Sequence, residues 1–322
     1  MNPWWAATTL GFLDGLRRDS WPESGIRVLA YHGVLEREKD RLLERNFRLL
    51  DDFQSHLRFL RRYRVLSLAE LVEELRHPKK RTRPAAVITF DDGYANNLLA
   101  AEVLAAFRLP WSLFIPTGAV GRDKPIWTAE LSLLLLRGAS SRLEALNKSW
   151  SMEGRRERES AFHEIRHALK TMPSASRRDA MDSLRRQFPE GETLRLLDEF
   201  PSMQMLAWEE IVQLRNSGVE IGSHGVNHEI HHAAQPESVR RFEQTESKAV
   251  LENRLATRCR FFAYPNGDFV ATSDEEVRAS GYELAFTTQP GIVKAHSNPY
   301  LLPRAEPASS LRAFANQFFW PH

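Results

Sequence analysis

From Ile26 onward the chain alternates short β-rich runs with helical stretches, and this rhythm restricts the fold more than any other feature. Apolar, β-branched runs separated by helix-length segments specify βα units around a parallel sheet or barrel. The predicted strands are Ile26–Tyr31, Ala85–Phe90, Trp111–Ile115, Val219–Gly222, Arg260–Tyr264 and Glu283–Thr287. Helix starts are marked between them. Ser67 and Glu70 stand at capping-box spacing ahead of Leu71–Leu75, and Pro236 with Glu237 suits the first turn of a helix running toward Leu255.

From about Trp127 to Ser202 the rhythm stops. Arg, Glu, Leu and Ser dominate, apolar residues recur at helical spacing, and β-formers are few. A helical insertion over residues 127–202 is expected, either a lid or substrate-specific wall or a packed decoration. With 322 residues, 42% of them apolar, the chain is long enough for one catalytic domain over 26–322 that carries this insertion, preceded by an N-terminal extension over 1–25.

Lys and Arg total 44 against 42 for Asp and Glu, so no strong field selects nucleic acid as a partner. Cys259 is the single cysteine, which excludes an intramolecular disulfide and a thiolate metal cluster. Apolar runs such as Leu133–Leu136 fall far short of the roughly 20 residues that span a bilayer. Met1–Leu13 is apolar but has no positively charged start and no small-residue cleavage site, so it is not read as a signal peptide. Trp4, Trp5, Leu10, Phe12 and Leu13 ahead of Arg17 and Arg18 could dock residues 1–18 on a bilayer surface, or pack on the domain itself. A cytoplasmic location, with the inner face of the membrane as one option, is the expectation.

The run Ala86–Phe90 ends abruptly in Asp91-Asp92-Gly93-Tyr94. Functional groups collect at the carboxyl ends of strands in barrels of βα units, although Asp-Asp-Gly taken alone is more often only a turn. A second β run, Val219–Gly222, leads into Ser223-His224, with His228 four residues on and His231 and His232 beyond. Two histidines at i and i+4 can meet one ion if the turn after the strand coils helically. Together the two segments supply one carboxylate more than an Asp-His-His ion site needs. A hydrolase uses such a surplus: one carboxylate binds the metal while the other handles the proton.

These motifs resemble those of the polysaccharide deacetylase family, also called the NodB-homology or chitin-deacetylase-like family. Thr-Phe-Asp-Asp-Gly stands at Thr89–Gly93, Ser-His-Gly-Val-Asn-His at Ser223–His228, and the third motif position at Phe261–Gly267. Leu29–His32, Ala285–Thr288 and Leu302–Arg304 are similar to the branch found with exopolysaccharide biosynthesis, and the resemblance runs from Val28 to Arg304. It implies a deformed (β/α) barrel of the NodB-homology type with a helical insertion. The implied activity is hydrolysis of the N-acetyl group of an N-acetylhexosamine in a polysaccharide, oligosaccharide or lipid-linked precursor, releasing acetate. Asp91 is then the general base, and Asp92, His224 and His228 are the metal ligands. This mixed set suits Zn²⁺, with Co²⁺, Mn²⁺ or Ni²⁺ able to compete. Backbone N–H groups near Tyr264 and Pro265 are the implied oxyanion donors.

The chain also departs from the family pattern. Ala263 occupies the position of an Arg that orients the base, and Asn266 stands where an aromatic is common. Arg304 is expected to bring a guanidinium from another strand and pair with Asp91. The late Leu-x-His motif, source of the usual acid, is not visible near Leu301–Pro303. His32, at the end of the first strand, and His296, in a nearby loop, are the substitutes, His32 being preferred. Trp127 and Trp208 could stack on sugar rings but are read as core. His56, His163 and His167 are read as surface, and His231 and His232 could line the outer shell of the metal site.

Two other readings compete. Paired aspartates hold a divalent ion in nucleotide-sugar glycosyltransferases, but that leaves His224 and His228 without a role, and no basic Gly-rich phosphate loop is present. A sugar-binding protein on a deacetylase scaffold is motivated by Ala263 and the missing late histidine.

Overall fold

The computed structural model describes residues 25–78 and 83–319. The N-terminal extension, including the bilayer docking considered for residues 1–18, lies outside the described residues. Among the described residues no helix is long and apolar enough to cross a membrane.

The strands are β1 (Ile26–Tyr31), β2 (Gly33–Leu35), β3 (Phe47–Leu49), β4 (Arg64–Leu66), β5 (Ala85–Phe90), β6 (Ser112–Ile115), β7 (Arg142–Ala145), β8 (Lys148–Ser151), β9 (Glu220–Ser223), β10 (Phe261–Ala263) and β11 (Leu284–Phe286). The main sheet has seven strands, all paired in parallel: β1, β5, β6, β9, β10 and β11 in that order, with β4 on the first half of β5. Every residue of β1 and β5 is buried, because helices cover the outside of the sheet and side chains fill its inside. The deformed barrel is closed by an irregular segment. Leu302 bridges to Phe286 of β11 and Ala305 bridges to Leu29 of β1, both in the parallel sense. Arg304 sits inside this closing segment.

All six predicted strands are present, several shorter by a residue or two at their ends. The Ser67–Glu70 capping box has both its bonds, Glu70 N–H to Ser67 Oγ at 3.1 Å and Ser67 N–H to Glu70 Oε2 at 2.9 Å. Pro236 caps the helix Glu237–Leu255. Three features go beyond the sequence reading: β4, the pair β2–β3, and the hairpin β7–β8 inside the insertion. The hairpin corrects an all-helical insertion. Its turn is made by Leu146 (φ 54°) and Asn147 (φ 57°), a pair of positive φ values with no glycine to announce them.

The insertion otherwise consists of the helices Trp127–Arg137, Arg155–Thr171, Ser174–Arg185 and Glu192–Glu199 around their own apolar core, centred on Leu133–Leu136, Phe162, Ile165 and Leu196. It is tied to the barrel by polar contacts that touch the residues around His228. Arg177 forms a buried ion pair with Glu229, its guanidinium lies 4.7 Å from the Trp127 ring centre, and Trp127 Nε1 donates to the His228 carbonyl at 3.0 Å. Trp127 and Trp208 are both partly buried against apolar clusters.

His56 corrects the surface reading, for it is fully buried. Phe53, His56, Leu57 and Leu60 form one stripe of the helix Leu50–Leu60, and the i, i+3, i+4, i+7 spacing puts His56 on the inward face. Its ring stacks on Phe314 at 4.0 Å and its Nδ1 lies 3.2 Å from the Tyr31 hydroxyl. His163 and His167 are exposed.

Candidate active site

The two neighbouring carboxylates diverge because the backbone reverses between them. Asp91 still belongs to the ladder, its N–H donating to the Tyr31 carbonyl at 2.9 Å. Asp92 (φ 71°) and Gly93 (φ 73°) then turn left-handed, a region that Asp tolerates and Gly prefers. A Cβ on Gly93 would lie only 2.8 Å from Ile115 Cδ1. Asp91 consequently faces Arg304, and Asp92 faces the histidines.

Asp92 Oδ1 lies 3.4 Å from His224 Nε2 and 3.2 Å from His228 Nε2, and the three residues are buried. Donors ~2.0–2.1 Å from a shared ion in tetrahedral array are themselves separated by about 3.3 Å, so this carboxylate and these two imidazoles fit a Zn²⁺-type ion. His224 Nδ1 lies 2.8 Å from the Ala263 carbonyl, which assigns the proton to Nδ1 and leaves Nε2 a bare donor on the Asp92 side.

The histidine loop is not helical, which corrects the route by which His224 and His228 were expected to meet. His224 extends the β6–β9 ladder by one residue, its N–H donating to the Ile115 carbonyl at 2.9 Å. Gly225 (φ 80°) and His228 (φ 55°) then bend the chain back. The buried carboxylate of Glu243 holds the bend, accepting from Val226 N–H at 2.7 Å, Asn227 N–H at 2.8 Å and Asn227 Nδ2 at 2.9 Å. The approach is too close for a side chain at Gly225, whose Cβ would sit 2.6 Å from Glu243 Oε2.

Arg304 is fully buried and grips Asp91 with both outer nitrogens. Its Nη1 also reaches Thr89 Oγ1 at 3.1 Å and its Nε the Thr287 carbonyl at 3.1 Å, so the fork is fixed in orientation. Burial alone would raise the Asp91 carboxyl, but the Arg304 guanidinium, with His224 close by, outweighs it and holds the group below the usual carboxylate range. Ala263 lies in the same apolar cluster as Phe114 and Phe286, the rings that flank the Arg304 guanidinium.

The structure places His32 in the same cleft as Asp91, Asp92, His224 and His228. Its carbonyl accepts from Asn97 Nδ2 at 2.8 Å, and its Nδ1 has no hydrogen-bond partner. His296 does not join them. It is exposed and stands three residues beyond Val293, which pairs with Ile26 at the amino end of β1, away from the carboxyl-end cleft. Tyr264 is also corrected as an oxyanion donor: its N–H is spent on the Phe286 carbonyl at 3.0 Å, and its hydroxyl donates within the core to the Ser273 and Tyr300 carbonyls. Pro265 has no N–H to offer. Asn266 lines the cleft, its side chain bonded to Lys170 and Asp268. His231 packs between the Phe262 and Tyr264 rings, where burial pushes its imidazole down to about 3. His232 bonds the Met172 carbonyl at 3.1 Å.

Three cations on the cleft wall were not singled out in the sequence: Arg45, ahead of β3, and Arg166 and Lys170 from the insertion. Their only local signal is the i, i+4 spacing of Arg166 and Lys170, which puts two like charges on one helical face.

The polysaccharide deacetylase family model matches residues 78–285. Among solved structures the chain is similar to a Streptococcus pyogenes deacetylase, PplD, in complex with acetate, at 18% identity over 93% of this chain and 100% of that one, with a TM-score of 0.61. It is similar to IcaB from Ammonifex degensii at 19% identity, over 92% and 98% of the two chains, with a TM-score of 0.59. A de-N-acetylase from Aggregatibacter actinomycetemcomitans matches at 16% identity, over 91% and 99%, with a TM-score of 0.54. At these identities the likeness is one of fold. No curated protein sequence matches the chain.

Proposed function

The chain belongs to the polysaccharide deacetylase family, and on that premise we propose that it is a metal-dependent hydrolase removing the N-acetyl group from an N-acetylhexosamine unit of a glycan or lipid-linked saccharide. The observation that carries this reading is the division of labour between the adjacent carboxylates. Asp92 is turned to His224 and His228, while Asp91 is turned away from them onto Arg304.

Asp92, His224 and His228 would hold the divalent ion, with Zn²⁺ favoured by the donor set and Co²⁺, Mn²⁺ or Ni²⁺ as competitors. When bound there, such an ion supplies Lewis-acid polarisation of the acetamide carbonyl and acidifies a water. Asp91, kept ionised and aimed by Arg304, takes a proton from the attacking water as the new C–O bond forms. A backbone N–H of the cleft-lining turn that carries Asn266 would stabilise the negative charge that develops on the carbonyl oxygen. The C–N bond then breaks, and His32 delivers a proton to the departing amine, leaving acetate and a free amino sugar. Arg304 supplies the guanidinium missing at Ala263, one of the two grounds for a sugar-binding protein without turnover, the other being the missing late histidine.

The test is a free-amine assay over N-acetylglucosamine oligomers and lipid-linked precursors, before and after exhaustive chelation. Turnover should vanish with the metal and return when metal is restored, while the fold persists, since a full-sized core does not depend on a catalytic ion. Turnover that survives verified metal removal, or no turnover on any substrate with metal present, would end this reading.

A further inference from the structure

We propose that the cleft contains a second subsite, formed by Arg45, Arg166 and Lys170, that binds an oxyanion carried on the unit next to the N-acetylhexosamine. The inference rests on the deacetylase reading only for the identity of the neighbouring sugar. All three cations line the cleft that holds Asp91, Asp92, His224 and His228. Arg166 and Lys170 are one helical turn apart on Arg155–Thr171, and the guanidinium carbons of Arg45 and Arg166 lie 5.4 Å and 5.8 Å from the centre of the same ring, Phe162.

Nothing in the fold asks for three positive charges here. Like charges at i, i+4 destabilise a helix, and cations without an ion pair are disfavoured where they are partly buried, as Arg166 and Lys170 are; Arg45 stands exposed beside them. Yet no ion pair to Arg45, Arg166 or Lys170 is present among the described residues, and the nearby acids are engaged elsewhere. Glu306 pairs with Arg48 at 2.7 Å, Asp268 accepts from Asn266, and Asp92 faces the histidines. The crowding is visible in Lys170, whose ammonium is brought down to about 8 by burial and by the neighbouring Arg166. Lys170 is tied by its own hydrogen bond to the Asn266 side chain, so the positive wall joins the Pro265–Gly267 turn that lines the cleft.

Guanidinium forks match carboxylate and phosphate oxygens with two bonds each, and an ammonium adds a point charge. The shared chemistry is therefore an oxyanion within one sugar of the scissile amide. It comes either from the carboxylate of a uronic acid in an acidic glycan or from the phosphate that links a saccharide to a lipid.

The experiment measures binding by calorimetry, and turnover separately, for the metal-loaded protein with three probes: neutral chitotetraose, a hyaluronan tetrasaccharide, and N-acetylglucosamine linked through phosphate to a short prenyl chain. At least one charged probe should bind about tenfold or more tighter than the neutral one, a gap that narrows near 1 M salt, where the Debye length is about 3 Å. The double variant Arg45→Ala/Arg166→Ala should abolish that preference, and the probe that shows it identifies the source of the anion. Equal binding of all three probes, or a preference that persists in the double variant, overturns the subsite. A preference that disappears in the variant while no probe is turned over upholds the subsite and removes the deacetylase reading instead.

Discussion

Arg304 and Asp91 are joined by two parallel bonds, Nη1 to Oδ1 at 2.8 Å and Nη2 to Oδ2 at 2.7 Å, although 213 positions separate them in the chain. A buried carboxylate without such a partner would be neutralised by desolvation, so the pair keeps Asp91 ionised, as the proposed base must be. Arg304→Ala should move the acidic limb of the rate profile upward by about 1–3 pH units, the usual effect of an adjacent opposite charge, while metal content stays near stoichiometric. Arg304→Lys should restore only part of the shift because an ammonium lacks the planar fork. The sign for stability follows. The folded Asp91 carboxyl lies below its unfolded value, so its contribution is present above the unfolded value and is lost as pH falls through the folded one. An unmoved acidic limb in Arg304→Ala would show that something else holds the base.

Asp91→Asn and Asp92→Asn should fail differently. The first should keep its metal and lose on the order of 10²–10⁴ in rate, the common worth of a proton-transfer group. The second should lose metal affinity first. Metal analysis of the two purified variants decides the matter, and equal metal loss in both means the roles have been divided wrongly.

His32 is assigned the leaving-group proton from its place in the cleft and its unpartnered Nδ1. His32→Gln should slow amide hydrolysis by about 10²–10⁴ but spare much of the activity on an aryl acetate, whose phenolate leaves without being protonated. Equal losses on both substrates would remove the assignment.

Glu243 makes three hydrogen bonds to the loop that presents His228. Glu243→Gln turns an amide donor toward donors, so unfolding stability should drop by about 1–3 kcal/mol. Metal affinity should weaken by roughly 10–100-fold, as when other supporting shells are removed. A variant with unchanged metal affinity would reduce Glu243 to a purely structural clamp.

The Arg177–Glu229 pair is buried, with side-chain exposures of 2% each. Arg177→Met strands the carboxylate with Gln235 as its remaining side-chain partner and should cost about 3–5 kcal/mol in denaturant unfolding. Adding Glu229→Gln should recover most of that loss. If the double variant is as unstable as the single one, the charge is not the reason.

The parts of the molecule that were legible in the sequence are those specified locally. A six-residue apolar run such as Ala85–Phe90 states its burial, and a Ser followed three residues later by Glu states its cap. Asp91, Asp92, His224 and His228 were legible because they stand at the ends of such runs. What could not be read depends on where a segment lands. His56 was hidden by polar neighbours in sequence, although its helical stripe faces inward. His224 and His228 look like one face of a helix, but two left-handed residues and a distant carboxylate bring them together. Tyr264 stands in the third motif and His296 in a late loop, but the Tyr264 N–H is committed to the sheet and His296 sits toward the wrong end of the barrel. Beyond the i, i+4 spacing of Arg166 and Lys170, these cations and Arg45 carried no signal until the insertion was folded over the cleft.

The segment Leu302–Ala305 bridges β11 to β1, and its guanidinium comes last in the chain among the cleft components at residues 32, 91, 92, 224, 228 and 266. During synthesis a ribosome releases both carboxylates and both histidines well before Arg304. Until the barrel is sealed, Asp91 has no guanidinium to keep it charged, so on the proposed mechanism the nascent protein would lack its base. If the proposed chemistry holds, hydrolytic competence is coupled to completion of the fold, and a partly made or proteolytically opened barrel would be a silent one.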